Sequence, residues 1–379
     1  MNPKLSSLRP LVYVTTLASV LAFQMFFAWP SLATGQSGAR QVIPPTDPLR
    51  QTQTRDEQPQ QAKQPGVPKQ DKDLEIPKPE NMYLETSDGV KLRCTYLAAP
   101  KLAPGAEKVD PNQKPVPFIL LHDWEGNRND LAGYAKYLQR LGHAVILPDL
   151  RGHGGSTVVS VQGRAVDIDV AKFQRNEVLT AVKDIERCKK FLVQQHNKGE
   201  LNIDLLCVVA VGKTSVLAVR WTLSDWVAFP PYNSQGIKQG QDVKALMLIS
   251  PTKKLAGASL LPSLKSPLFS GAGGPALPML VMWSASDENA KESESISKAL
   301  EKMRPDFGEI EDTKERMEKM DFFSVPVTKS QFTGQEMIQK QQVANFWPYI
   351  TNLLFERKVV AKSAGFPWVS REAPEDEDE

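Results

Sequence analysis

Short, unbroken apolar runs alternate with amphipathic helical segments along most of this 379-residue chain. That alternation constrains its fold more than any single motif. Val116–His122, His143–Pro148, Leu205–Val211, Val243–Ser250, Met279–Ser284 and Phe322–Val327 read as strands. Between and after them, Asp130–Leu141, Val170–Gln195, Thr214–Trp226, Ala290–Met303 and Glu336–Phe355 read as helices. In the longest of these, Val178, Val182, Ile185, Phe191 and Leu192 recur at turn spacing. Strands apolar at every position are covered on both faces, which is the signature of a parallel sheet between helical layers. Upstream, Met82–Thr86 and Val90–Tyr96 flank Ser87-Asp88-Gly89, a hairpin with turn chemistry at its tip. The expectation is one α/β domain over residues 81–360, doubly wound and mostly parallel, with an antiparallel N-terminal hairpin.

The flanks have a different character. Lys4 and Arg9 precede an apolar stretch from Leu11 to Trp29, Pro30 breaks it, and Ser31-Leu32-Ala33 has the small-x-small pattern of a signal-peptidase site. Residues 1–33 are therefore a signal peptide or a membrane anchor, since the apolar stretch is also just long enough to span a bilayer. Cleavage would follow Ala33; an anchor would tether the chain through residues 11–29. Either way the globular part is expected outside the cytoplasm, as a periplasmic, secreted or outward-facing anchored protein. Residues 34–79 are rich in Gln, Pro, Lys and Asp, so a disordered linker is expected there. Residues 361–379 end in Glu375-Asp376-Glu377-Asp378-Glu379 and read as an acidic disordered tail. A net charge of +2 without a dense basic run argues against a nucleic-acid partner. The chain has three cysteines, Cys94, Cys188 and Cys207. An odd number excludes complete internal pairing, and all three are read as buried free thiols.

Three motifs carry a resemblance. Ile119-Leu120-Leu121-His122-Asp123-Trp124 precedes Gly126-Asn127; Pro148-Asp149-Leu150-Arg151-Gly152-His153-Gly154-Gly155-Ser156 follows a strand; Val208-Val209-Ala210-Val211-Gly212-Lys213-Thr214-Ser215-Val216 joins a strand to a helix. With Trp283-Ser284-Ala285-Ser286-Asp287 after a later strand, the chain resembles the α/β-hydrolases over nearly all of residues 81–360. The resemblance implies an eight-stranded-type sheet and a triad in the order Ser, Asp/Glu, His, with the nucleophile on a strained strand-to-helix turn. Matching Gly212 to the first glycine of G-x-S-x-G puts Thr214 at the nucleophile and Val216 at the second glycine. Sliding the frame to Ser215 fits worse. Asp287 matches the acid. Thr333 falls where the base would be, in Ser330-Gln331-Phe332-Thr333-Gly334-Gln335. The oxyanion-loop positions are His122, Asp123, Trp124 and Ser215.

These matches conflict with the chemistry they imply. No histidine follows His196, so no imidazole follows Asp287. A hydroxyl without a base near pH 7 stays protonated. Asp123 replaces the usual glycine, and either its charge opposes an oxyanion or it points outward. His122 and His153 read as structural parts of loop motifs; His143 opens a strand, and His196 ends a helix, where a cation complements the dipole. Gly212-Lys213-Thr214 is not a phosphate loop, because Cys207 stands where the first glycine belongs and Val208–Val211 is apolar. No metal-ligand spacing occurs, and no cofactor is expected. Leu260, Leu261, Leu264 and Leu268, in the connection from Pro251 to Pro278, read as packing residues rather than a lid. The expected function is that of an exported α/β-hydrolase-fold protein that has lost catalysis and acts as a binding or scaffolding module, its partner an unknown small molecule or an envelope component. The alternative is a serine-hydrolase-like esterase or peptidase with an unusual active site.

Overall fold

Eight strands form the central sheet, in the spatial order β8-β7-β6-β5-β3-β4-β2-β1. They are β1 (Glu80–Glu85), β2 (Lys91–Leu97), β3 (Pro117–Leu121), β4 (Ala144–Pro148), β5 (Leu206–Val211), β6 (Val243–Ile249), β7 (Met279–Ser284) and β8 (Phe322–Val327). This computed structural model describes residues 74–102, 114–227, 231–305, 307–328, 331–339 and 346–372. The expectations for residues 1–33, for most of the linker and for the end of the acidic tail lie outside the described residues. From β3 to β8 the sheet is parallel, while β2 pairs antiparallel with β4 and β1 with β2. That order and the antiparallel opening hairpin are those of the α/β-hydrolase fold.

Apolar residues at every strand position divide by alternation between two cores. On one side Ile119, Leu121, Val208 and Ala210 pack with Ile185 and Leu192 of α2 (Val182–Asn197), Leu217 of α3 (Ser215–Val227) and Ile296 of α4 (Ala290–Met303). On the other, Phe118, Leu120, Cys207 and Val209 meet Tyr134 and Leu138 of the helix Ala132–Arg140 and the segment Phe346–Glu356. Tyr134 and Thr351 share a hydroxyl hydrogen bond of 2.8 Å between those two elements. Leu260 and Leu264 are fully buried in the first core, with Leu261 and Leu268 packed against it. No described helix is long and apolar enough to cross a membrane.

Three local expectations are corrected. The helix expected over Val170–Gln195 is divided into a 3-10 turn at Val170–Lys172, a short helix at Arg175–Thr180 and then α2. The expected linker reaches into ordered structure before residue 80: Leu74–Glu75 pair with Lys101–Leu102, and the Gln139 amide donates to the Pro77 carbonyl at 3.0 Å. At the other end, the chain remains packed through residue 372 rather than becoming a free tail at 361. Asn202 donates to the Phe366 carbonyl at 2.7 Å, Trp368 to the His196 carbonyl at 3.0 Å, and Arg371 to Asp204 and Asp242 at 3.0 and 2.5 Å. Two aromatic anchors and one arginine entering a carboxylate pair hold a stretch whose average composition is polar.

The Asp149–Ser156 loop is a structural staple. The Asp149 carboxylate accepts from the Arg128 and Gly155 backbone amides, both at 2.8 Å, and pairs with the Arg128 guanidinium. A side chain at Gly154, where φ is +52°, would lie 2.3 Å from that carboxylate. Arg151 joins three elements, bonding Asp184 of α2 at 2.6 and 2.9 Å, Thr180 at 2.8 Å and Asp88 of the β1–β2 turn at 2.8 Å.

Burial alone would raise the Asp88 carboxyl, but hydrogen bonds from Arg151 and Thr86, with the charges of Arg151 and Lys183, hold it well below the ordinary carboxylate range. A depressed folded pKa contributes stability above the unfolded value of about 4 that is lost as pH falls toward the folded value. Asp88→Asn is therefore expected to lower the unfolding midpoint at neutral pH. The gap from wild type should shrink as the pH drops below about 4, as urea melts across that range would show.

Candidate functional site

Loops from the carboxyl ends of β3, β5, β7 and β8 converge at one end of the parallel sheet, where open α/β sheets place their ligands. Each site position expected from sequence lies on one of these loops.

The strand-to-helix turn comes first. After β5, Gly212–Thr214 form a single 3-10 turn leading directly into α3. The sharp point of the turn is Gly212, whose φ is +56°. The residue at the apex of the turn is thus Gly212, two places before Thr214, the position matched to the nucleophile from sequence. The small residues two places to either side are then Ala210 and Thr214, and Val216 belongs to the buried helix core. Thr214 is fully buried, with its hydroxyl against the His122 carbonyl at 2.9 Å and the Val211 carbonyl at 2.7 Å. It ties the turn to the β3 loop and presents no oxygen to a substrate. The sequence signal was Ala210, a small residue spaced as a first glycine would be. It was masked because the glycine at the apex itself attracts the motif.

The place of the missing side chain is taken. A Cβ on Gly212 would lie 2.2 Å from the Cγ and Oδ2 of Asp123 and 2.3 Å from its Oδ1. Oδ1 accepts the backbone N–H of Lys213 at 2.9 Å and that of Trp124 at 2.7 Å. In hydrolases of this fold the oxyanion is held by the N–H after the nucleophile and by one from the loop after β3. The amides of Lys213, after the apex, and of Trp124, in the loop after β3, both donate to the Asp123 carboxylate. Asp123 thus points inward. Burial raises its pKa, partly opposed by the hydrogen bonds from Lys213 and Trp124. Ser215, expected as a donor, turns its backbone N–H to the Gly212 and Lys213 carbonyls, and its hydroxyl is buried without a partner.

No imidazole serves this constellation among the described residues. His122 accepts the Leu150 N–H on Nε2 at 3.0 Å, which leaves Nδ1 to donate to the Asp123 carbonyl at 2.6 Å. Burial lowers its pKa to about 4, so the ring is a neutral staple between the ends of β3 and β4. His153 bonds the Arg151 carbonyl at 3.0 Å and packs edge-on against Trp124. His143 meets Glu356, and His196 donates to the Val369 carbonyl. Asp287 follows β7 and is buried, accepting from Asn289 N–H at 2.9 Å and from Gly334 N–H at 2.6 Å. Backbone amides of the β7 and β8 loops therefore hold this carboxylate. Thr333 starts the short helix Glu336–Gln339, its carbonyl accepting the Glu336 N–H at 2.9 Å. The side chain that reaches from this loop toward the apex is Gln335, which accepts the Asp123 N–H at 2.9 Å. Sequence reasoning missed Gln335, since only contact with Asp123 distinguishes it from its neighbours. At the rim, Lys213 pairs with Glu125. Among the described residues, no group of three His, Cys, Asp or Glu side chains could hold a metal ion.

No family model matches the chain, and no curated protein matches it in sequence. Solved structures are similar to it at low identity. One of two esterases from Rhizomucor miehei is 15% identical, over 76% of this chain and 86% of its own, with a TM-score of 0.45. The acylaminoacyl peptidase of Pyrococcus horikoshii is 12% identical over 76% of this chain and 44% of its own, at 0.47. A Pyrobaculum calidifontis esterase is 13% identical over 78% and 88%, at 0.42. The chemistry open to this chain rests on its own residues.

The contact between positions 212 and 123 makes a double-mutant cycle decisive. Gly212→Ser forces a side chain into a positive-φ position and onto a carboxylate, at a cost of about 1–3 kcal/mol. Asp123→Gly in the same chain should recover at least about 1 kcal/mol of that loss. Denaturant melts of the two single variants and the double variant measure the coupling.

Proposed function

We propose that this protein is an exported α/β-hydrolase-fold module of the cell envelope that binds or scaffolds and does not catalyse acyl transfer. The observation that carries the reading is the Asp123 carboxylate on the Lys213 and Trp124 amides, beneath an apex that is Gly212. Acyl transfer needs a nucleophile at the apex, a base to activate it and donors free for the developing oxyanion. The apex has no side chain. The acid Asp287 is bonded to a backbone amide. The two donors already hold an anion, whose charge opposes a second one. Export is supported by the basic and apolar N-terminal segment with its small-residue exit at Ser31-Leu32-Ala33. The ligand class is a small molecule or an envelope component.

The purified chain is expected to give no labelling with a fluorophosphonate probe and no hydrolysis of a short acyl ester above background. Thr214→Ser should leave both at background, because that hydroxyl faces backbone carbonyls. Labelling should emerge only when Gly212→Ser is combined with Asp123→Gly, and turnover only when Gln335→His is added. Wild-type hydrolysis abolished by Thr214→Ala or Ser215→Ala would instead establish the esterase or peptidase reading. Cell fractionation tests export: intact, untethered chain in the cytosol contradicts it.

A further inference from the structure

We infer that Cys94 and Cys188 form a disulfide in the exported protein, made by exchange with an oxidising protein disulfide, while Cys207 stays a thiol. The inference rests on the export reading above, which places the chain where such exchange occurs.

The pairing follows from register. Leu92, Cys94 and Tyr96 alternate onto the face of β2 that meets α2, and Cys188, Phe191 and Leu192 line the inner side of that helix. β2 runs antiparallel to β4, and Arg151, just past the end of β4, bonds Asp184 in the first turn of α2, so both elements run against β4 and advance together. Tyr96 and Phe191 meet edge-on, with ring centroids 4.9 Å apart. Two residues back along the strand and three along the helix, Cys94 lies opposite Cys188. Both thiols are free and fully buried; Cys94 is near enough to Cys188 to perturb its titration, and Cys94 donates to the Leu92 carbonyl at 3.8 Å. Cys207 points into the other core, on the far side of the sheet, and bonds the Leu205 carbonyl at 3.5 Å. It can join neither partner. An odd cysteine count thus resolves into one pair and one isolated thiol.

The chemistry balances as ordinary exchange. One cysteine attacks as thiolate to form a mixed disulfide with the carrier. The second then displaces the carrier's thiol, closing the Cys94–Cys188 bond. The chain loses two electrons and two protons, and the carrier disulfide is reduced to a dithiol. The neighbouring Cys94 and burial both hold the Cys188 thiol above its ordinary range in the folded state. Little thiolate is available there, so exchange belongs to the stage before β2 and α2 pack. The bond closes a loop of about 90 residues, long enough to restrict the unfolded chain substantially.

The test is to express the full chain in an export-competent bacterial host, fractionate it, and alkylate it under denaturing conditions before intact-mass measurement. Exported protein should carry one alkylated cysteine without reduction and three after it, with a Cys94–Cys188 peptide in the unreduced digest. Cys207→Ser should keep that link, and Cys94→Ser should abolish it. Reduction should lower the melting temperature by about 5–10 °C. Exported protein with all three cysteines alkylated overturns the inference. If the chain stays in the cytosol, the export reading fails by itself. The pair is then judged by refolding the reduced full chain with oxidised glutathione, where the Cys94–Cys188 link supports the inference and its absence overturns it.

Discussion

One carboxylate oxygen organises this end of the molecule. Asp123 Oδ1 holds the backbone amides of Lys213 and Trp124, and so fixes the turn after β5 against the loop after β3. Hydrogen bonds from amides to a charged group contribute about 1.5–3 kcal/mol each. Around that contact, Thr214 bonds the His122 carbonyl, His122 bonds the Asp123 carbonyl, and Gln335 caps the Asp123 amide. Three loops that an enzyme would keep poised around a substrate are bonded to one another.

A second arrangement, along the neighbouring edge, follows the same logic. Asp149 and Arg151 belong to the loop that reads most like a hydrolase motif. Their side chains are consumed in holding Arg128, Asp184, Asp88 and the backbone of the loop itself. That is why so specific a motif is uninformative about activity. What it specifies is how the chain leaves β4 and closes over the sheet. His153, in the middle of it, packs edge-on against Trp124 and is similarly engaged.

The fold was legible because its signal is spread over many residues. Fully apolar runs such as Leu206–Val211 have only one stable environment, between two helical layers, and the alternation of runs and helices sets the order of assembly. At the candidate site the turn after β5 was legible, but which residue stands at its apex was not. Sequence places a glycine at 212 and a threonine at 214, and either can be aligned with the motif. Only the backbone dihedral at Gly212 and the position of the Asp123 carboxylate distinguish them. The docked C-terminal segment was invisible for another reason. Its anchors, Phe366, Trp368 and Arg371, are sparse within a polar stretch, and their partners Asn202, His196 and Asp242 lie far away in sequence.

The residues at 123 and 212 also explain each other. A serine at 212 would put its Cβ into the Asp123 carboxylate, and an aspartate at 123 can reach the two amides only because the apex lacks a side chain. Each therefore removes the room that the ordinary residue at the other position needs. Changing either one back produces a clash or leaves two buried amides without an acceptor, and both outcomes lower stability. The two positions are therefore coupled: neither can be exchanged alone without a cost that the other exchange would offset. The pair thus closes the turn after β5 onto the loop after β3, with the Asp123 carboxylate filling the space a side chain at 212 would take.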